Sequence, residues 1–130
     1  LPYFPLASGF LTGKYKRNSL PKGARLSSNQ HSSWSEKWLT EENFNIIEDL
    51  EKWAQSRGIT MVQLAFSWLL AKKSVSSVIA GATSIEQLKT NANASGINLS
   101  ESDIDEIDKI LPKRNKAGIG NIPRRVMNKA

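Results

Sequence analysis

Cysteine is absent from this 130-residue sequence, and no apolar run reaches roughly 18 residues, the length that predicts a membrane-spanning helix. The lack of cysteine excludes disulfide bonds and metal sites built on thiolates. His31 is the only histidine, and the Ser-rich stretch around it (26–35) holds no partner carboxylate, so we interpret it as a loop residue and predict no metal site. The chain opens on Leu1 without the basic segment of a signal peptide, which predicts a cytoplasmic protein.

Positive charge is concentrated at one end of the chain. The net charge is +6, and the residues after Pro112 include six basic side chains and no acidic one, so residues 1–112 carry no net charge. We predict that residues 1–112 form the folded part and that residues 113–130 are a solvated, flexible basic tail. Contact of this tail with a polyanion, an acidic partner or cofactor phosphates stays open as the alternative.

Four helices are predicted, each with a capping residue in front of an apolar pattern at helical spacing. A long loop that includes the Ser-rich stretch precedes the first helix, and Trp38 at its end is interpreted as part of a hydrophobic staple. Trp34 in the same loop could instead form a wall of a substrate pocket. The predicted caps are Thr40, Thr60, Ser84 and Ser100, and the helices are expected to end near Gly58, Lys73, Gly96 and Pro112.

Residues 77–91 predict a short strand that turns directly into a helix. The apolar run at 78–80 is typical of a strand covered on both faces, and Gly81 permits a tight turn. Ser84 and Gln87 have the spacing of a capping box, so the helix is expected to begin with unpaired N–H groups and a positive dipole end. This arrangement favours a bound phosphate, although the same layout also occurs in α/β proteins without a ligand there.

Two segments carry a resemblance to a known family. The chain begins Leu-Pro-Tyr-Phe-Pro-Leu-Ala-Ser-Gly-Phe-Leu-Thr-Gly-Lys-Tyr, and from Gly81 it reads Gly-Ala-Thr-Ser-Ile-Glu-Gln-Leu-Lys-Thr-Asn. In this order they resemble the seventh and eighth strands, with the helix after the eighth, of the aldo-keto reductases. The resemblance implies an α/β fold class, with residues 1–112 as the C-terminal half of a (β/α)8 TIM barrel that supplies two parallel strands and a mostly helical remainder. A complete barrel of this kind needs roughly 250 residues.

The resemblance also implies where a nicotinamide cofactor binds. Tyr3 corresponds to the tyrosine that stacks on the nicotinamide ring, and Lys14 could pair with phosphate. No basic side chain stands at Gly81 or Gln87, where many members carry one for the 2′-phosphate; NADP(H) is nevertheless favoured, and NAD(H) stays open. The remaining implied contacts are Phe4, Leu6 and Ser8 at the pyrophosphate, and Gly81, Thr83, Gln87 and Asn91 at the adenosine end.

The function implied by the resemblance is the NADPH-dependent reduction of aldehydes or ketones by the intact protein. The family's catalytic tyrosine and its lysine, aspartate and histidine partners belong to the first half of the barrel, so no catalytic residue is assigned here and the 130 residues alone are expected to be inactive. The expected partners are a small carbonyl substrate and the N-terminal half of the barrel. A non-catalytic relative similar to the β subunits of potassium channels is the first alternative. A helical module that uses the basic tail on nucleic acid is the second, which the lack of interleaved aromatic residues disfavours.

Overall fold

The structure, a computed structural model, describes residues 1–2, 5–17, 19–23 and 38–112. Within these ranges it contains four α-helices and two short 3-10 helical segments. The predicted helices are therefore all present, with ends within a few residues of those expected. The helices are α1 (Glu41–Ser56), α2 (Met61–Leu70), α3 (Ile85–Asn93) and α4 (Glu101–Ile110), and the 3-10 segments are Ala7–Thr12, termed the N-terminal turn, and Ala94–Gly96.

Side-chain caps start all four helices at the predicted positions. In each case the capping hydroxyl accepts a hydrogen bond from the backbone N–H three residues later, which pairs one of the free donors of the first turn. At α2 and α4 the third residue also reaches back to the backbone of the cap and completes a capping box. The capping hydroxyls belong to Thr40, Thr60, Ser84 and Ser100.

Helix α1 ends where glycine allows the chain to reverse. Gly58 has a φ of 67°, a left-handed conformation that glycine adopts at little cost. Its N–H donates to the carbonyl of Gln55, and the N–H of Ile59 donates to that of Ala54, both over 3.1 Å. These two bonds form a Schellman motif, which leads the chain directly into the Thr60 cap of α2.

The hydrophobic core lies where α1, α2 and α4 meet the N-terminal turn. Tyr15 and Ile107 are fully enclosed, and the rings of Phe10 and Phe44 meet edge to face with their centroids 5.6 Å apart. Burying each such side chain stabilises the fold by roughly 1.5–3 kcal/mol. Trp38 packs against this core with its ring centroid 6.4 Å from that of Phe10, and its predicted role in a staple with α1 stays a prediction.

The two predicted parallel strands are not confirmed. Among the described residues the only bridge is an isolated antiparallel pair between Lys16 and Ser19, and residues 75–82 have no regular secondary structure. Ile79 is 69% exposed, so the expectation that residues 78–80 are covered on both faces is wrong for this structure. A strand forms only against a hydrogen-bonded neighbour, and the segment expected to be that neighbour includes residues 3 and 4, which lie outside the described ranges.

An apolar groove of about 210 Å³ opens beside α2 and is lined by side chains such as Leu11, Met61, Trp68 and Leu111. Among the described residues of its lining, only Trp68 has a polar side-chain group, and that indole N–H already donates to Asp108. We therefore treat it as an uncovered packing face. None of the helices in the described part of the chain is long and apolar enough to cross a bilayer.

Candidate functional site

The N-terminal turn has an unusual backbone that its own hydrogen bonds stabilise. Ala7, Ser8 and Gly9 all have positive φ values, 47°, 59° and 93°. The N–H of Gly9 donates to the carbonyl of Leu6 over 2.8 Å, and the Thr12 hydroxyl donates to the carbonyl of Gly9 over 2.7 Å. Non-glycine residues rarely adopt such angles, and they cluster at functional sites.

Ser8 and Lys14 place polar groups from this turn on one cavity. Ser8 is only 7% exposed as a residue, and it forms part of the cavity lining. A hydroxyl that borders a cavity can donate a hydrogen bond to a ligand there. Lys14 folds back over Gly9, where an added Cβ would lie 3.2 Å from its Cε and Nζ atoms. Its ammonium group lies 5.2 Å from the centre of the Tyr15 ring and has no carboxylate partner in the described part of the chain.

The segment that leads into α3 forms a second polar cluster. The Asn91 side chain donates to the carbonyl of Gly81 over 3.4 Å, so α3 is tied back to the residues before it. The Thr83 N–H and hydroxyl both donate to the side-chain oxygen of Gln87, over 2.8 and 3.0 Å. The Ser84 hydroxyl accepts from the backbone N–H of Gln87 over 3.2 Å. Residues 81–89 are all exposed.

One open cavity of about 800 Å³, lined by both polar and apolar side chains, joins the two segments. Helix α2 contacts both the N-terminal turn and α3, and Val62 on this helix forms part of the cavity lining. The volume lies in the range that is typical of cofactor sites. Lys14 is the one charged residue in the described lining, so the cavity is weakly positive on the side of the N-terminal turn.

The structure brings together six of the eight residues that the sequence predicts for a cofactor site. Tyr3 and Phe4 lie outside the described residues. Sequence reasoning missed Val62 because its helical spacing indicated packing only. The six that line the cavity are Leu6, Ser8, Gly81, Thr83, Gln87 and Asn91.

Two local interpretations need correction. Gly81 does not adopt a positive φ, and a Cβ there would meet no atom within 4 Å, so the turn does not require glycine. The Gln87 side chain does not complete a capping box with Ser84, because its oxygen accepts from Thr83 instead. Ser84 still caps the helix through its own hydroxyl. The spacing between Ser84 and Gln87 alone could not show whether the Gln87 side chain accepts from the backbone N–H of Ser84 or from that of Thr83.

No described side chain is placed to act as a proton donor to a carbonyl. Tyr15 is fully enclosed and packs 6.2 Å from the Phe10 ring, which makes it a core residue. His31 and Trp34 lie outside the described residues. Within the described ranges there is also no group of three or more His, Cys, Asp or Glu side chains that could hold a metal ion.

This chain is similar in sequence to several known proteins. L-glyceraldehyde 3-phosphate reductase of Escherichia coli O157:H7 is 40% identical over 111 residues, which cover 83% of this chain and 32% of that protein. A probable voltage-gated potassium channel subunit beta of Arabidopsis thaliana is 32% identical over 114 residues, 86% of this chain and 35% of that protein. The NADH-specific methylglyoxal reductase of Escherichia coli K12 is 35% identical over 105 residues, 78% of this chain and 30% of that protein.

The chain thus spans about a third of the length of these relatives. A model of the aldo/keto reductase family matches residues 1–112, which include both polar segments and all four helices. The chain belongs to the aldo/keto reductase family.

Proposed function

We propose that residues 1–112 form part of the nicotinamide cofactor site of an oxidoreductase that reduces aldehydes or ketones. Aldo/keto reductases generally use nicotinamide cofactors, and the named reductases among the relatives support this class of reaction. The observation that carries the proposal is the open cavity of about 800 Å³, because it is lined by two segments some 70 residues apart that resemble the family's cofactor motifs.

The two segments suit different parts of a dinucleotide. The Ser8 hydroxyl and the Lys14 ammonium group are a donor and a cation at the N-terminal turn, which fits the pyrophosphate. Asn91 offers an amide that both donates and accepts, which suits the edge of an adenine ring. The exposed N-terminal end of α3 carries the positive end of the helix dipole, which favours a bound anion.

The bound cofactor would supply the hydride, and the described residues would bind and orient it. A proton donor for the carbonyl oxygen is also required, and none of the described side chains takes this role. We therefore propose that the 130 residues alone are inactive and that activity needs the N-terminal portion of a (β/α)8 barrel. The apolar groove and the exposed Ile79, Ile85 and Leu88 are faces that such a portion would cover.

A regulatory, non-catalytic role is a second candidate, which the similarity to the potassium channel subunit from Arabidopsis supports. Both candidates use the same cofactor site. They differ in hydride transfer by the intact protein, which only the reductase should perform. The basic tail (113–130) lies outside the described residues. That it is a solvated segment stays a prediction.

Calorimetric titration of the full chain with NADH and NADPH tests the proposal. We expect saturable binding, and we expect Lys14→Met and Asn91→Leu each to weaken it about tenfold, because each removes polar contacts to the ligand. Lys73→Met is the matched control, since Lys73 is exposed after α2 and does not line the cavity.

Binding that both variants leave unchanged would contradict the proposal, because the ligand would then sit elsewhere. An equal loss in the Lys73→Met control would also contradict it, since that result would reflect net charge and not a contact in the cavity.

A further inference from the structure

The side chain of Arg17 fastens the segment that follows the N-terminal turn to helix α1. Its guanidinium donates to the carboxylate of Glu41, to the side-chain oxygen of Asn45 over 2.7 Å, and to both oxygens of Glu48 over 3.3 and 3.4 Å. The three acceptors lie about one turn apart on the same face of α1. The planar fork of an arginine side chain can bind several such acceptors at once, so Arg17 bridges two parts of the chain with one rigid group.

Lys16 and Glu51 form a second attachment of the same segment to α1. The ammonium group of Lys16 lies 2.7 and 2.5 Å from the two carboxylate oxygens of Glu51. Glu51 also borders Gly13, where an added Cβ would lie 3.8 Å from one of these oxygens. Between the two attachments and the N-terminal turn, Tyr15 is fully enclosed in the core. Residues 15–17 are therefore held by the core on one side and by α1 on the other.

Lys14 directly precedes these anchored residues and is the one charged residue in the described cavity lining, to which Arg17 does not belong. A single exposed ion pair would restrict the segment only weakly, but the acceptors of Arg17 form a network. Without this attachment, Lys14 would lie at the cavity for a smaller fraction of the time. The apparent dissociation constant of a ligand rises by the inverse of that fraction.

We propose that Arg17 is a positioning residue, which keeps Lys14 at the cavity by holding residues 14–17 against α1. This inference rests on the proposed function, in which Lys14 binds the cofactor. Arg17 itself touches no part of the ligand, so its effect on binding must pass through Lys14.

The test is a double-mutant cycle on the full chain, in which calorimetry measures the dissociation constant for NADH. Arg17→Met should raise this constant about threefold, because Lys14 is then at the cavity for about a third of the time. In a Lys14→Met background the same substitution should have no further effect. A purely structural role of Arg17, such as a contribution to overall stability, would act equally in both backgrounds.

Glu48→Met separates position from net charge. It removes an acceptor of Arg17 from the α1 side, so it should also raise the dissociation constant. Net charge alone predicts the opposite, because the loss of a carboxylate favours the binding of an anion. Lys52→Met is the matched control for the loss of a positive charge. Lys52 pairs with Asp49 over 3.0 Å within α1, so this variant should leave the constant unchanged.

Each outcome decides the inference. An unchanged constant in Arg17→Met, or an equal rise with and without Lys14, overturns it and leaves the proposed function intact. Tighter binding in Glu48→Met, or an equal rise in Lys52→Met, has the same consequence. Absence of NADH binding to the unchanged chain overturns the proposed function and this inference with it. Circular dichroism checks the helix content of each variant, and if Arg17→Met fails to fold, Glu48→Met in the two backgrounds decides.

Discussion

At the scale of single residues, Gly9 shapes the N-terminal turn, the part of the site that we propose binds the pyrophosphate. Its φ of 93° disfavours any L side chain, and a Cβ would lie 3.2 Å from the Cε and Nζ atoms of Lys14. We predict that Gly9→Ala lowers the free energy of unfolding by about 1–2 kcal/mol, because it strains the backbone and displaces Lys14. Urea unfolding followed by circular dichroism measures this change.

Gly96→Ala is the control for that prediction. Gly96 lacks a positive φ, and a Cβ there would meet no atom within 4 Å, so this variant should be at least as stable as the unchanged chain. Equal stability of the Gly9→Ala and Gly96→Ala variants would contradict the described backbone of the N-terminal turn.

At the scale of helices, α4 is held to α1 and α2 by three carboxylates. The indole N–H of Trp53 and the guanidinium of Arg57 on the α1 side hold the pKa of Glu106 below its usual value. The pKa of Asp103 is lowered first by its hydrogen bonds to Ser100 and then by the charge of Arg57. At Asp108 burial raises the pKa, but hydrogen bonds from Lys72 and Trp68 and the charge of Lys72 outweigh this and lower it.

These shifts predict loss of stability in acid. A carboxylate whose pKa is lower in the folded state contributes stability above its unfolded pKa, here 3.8 for aspartate and 4.5 for glutamate, and loses it as the pH falls through the folded value. The free energy of unfolding should therefore fall between about pH 6 and about pH 3, and Glu106→Gln should reduce this dependence. Urea unfolding across this range measures it. Asp105→Asn, at an exposed position of α4 outside these contacts, should leave the pH dependence unchanged, and an equal reduction in both variants would contradict the assignment.

Helices and strands differ in how far the sequence predicted them. The caps at Thr40, Thr60, Ser84 and Ser100 are local signals within four residues of the chain, and all four are present. A strand at 78–80 needs a partner strand that is distant in the sequence, so the apolar run alone could not determine the secondary structure of these residues. Gln87 shows the same limit inside one turn, since its spacing fits Ser84 while its side chain bonds to Thr83.

At the scale of the whole molecule, the site is formed by two segments that lie far apart in the sequence. The cavity that joins Leu6 and Ser8 to residues 81–91 forms through contacts of α2 with both sides, and no local pattern predicts such contacts. The resemblance to the family predicted the residues because it carries the arrangement of a complete barrel. Physical reasoning from periodicity and capping patterns alone predicted a mostly helical chain with one short strand, whose turn favours a phosphate.

The central claim is that these two segments form one cofactor site, and chemical-shift mapping by NMR tests it most directly. On titration of the isotope-labelled full chain with NADH, the account predicts that backbone amide signals of Leu6, Ser8 and Gly9 shift together with those of residues 81–91, at the same ligand concentrations. Shifts confined to one segment, or saturating at different concentrations in the two, would contradict a single shared site.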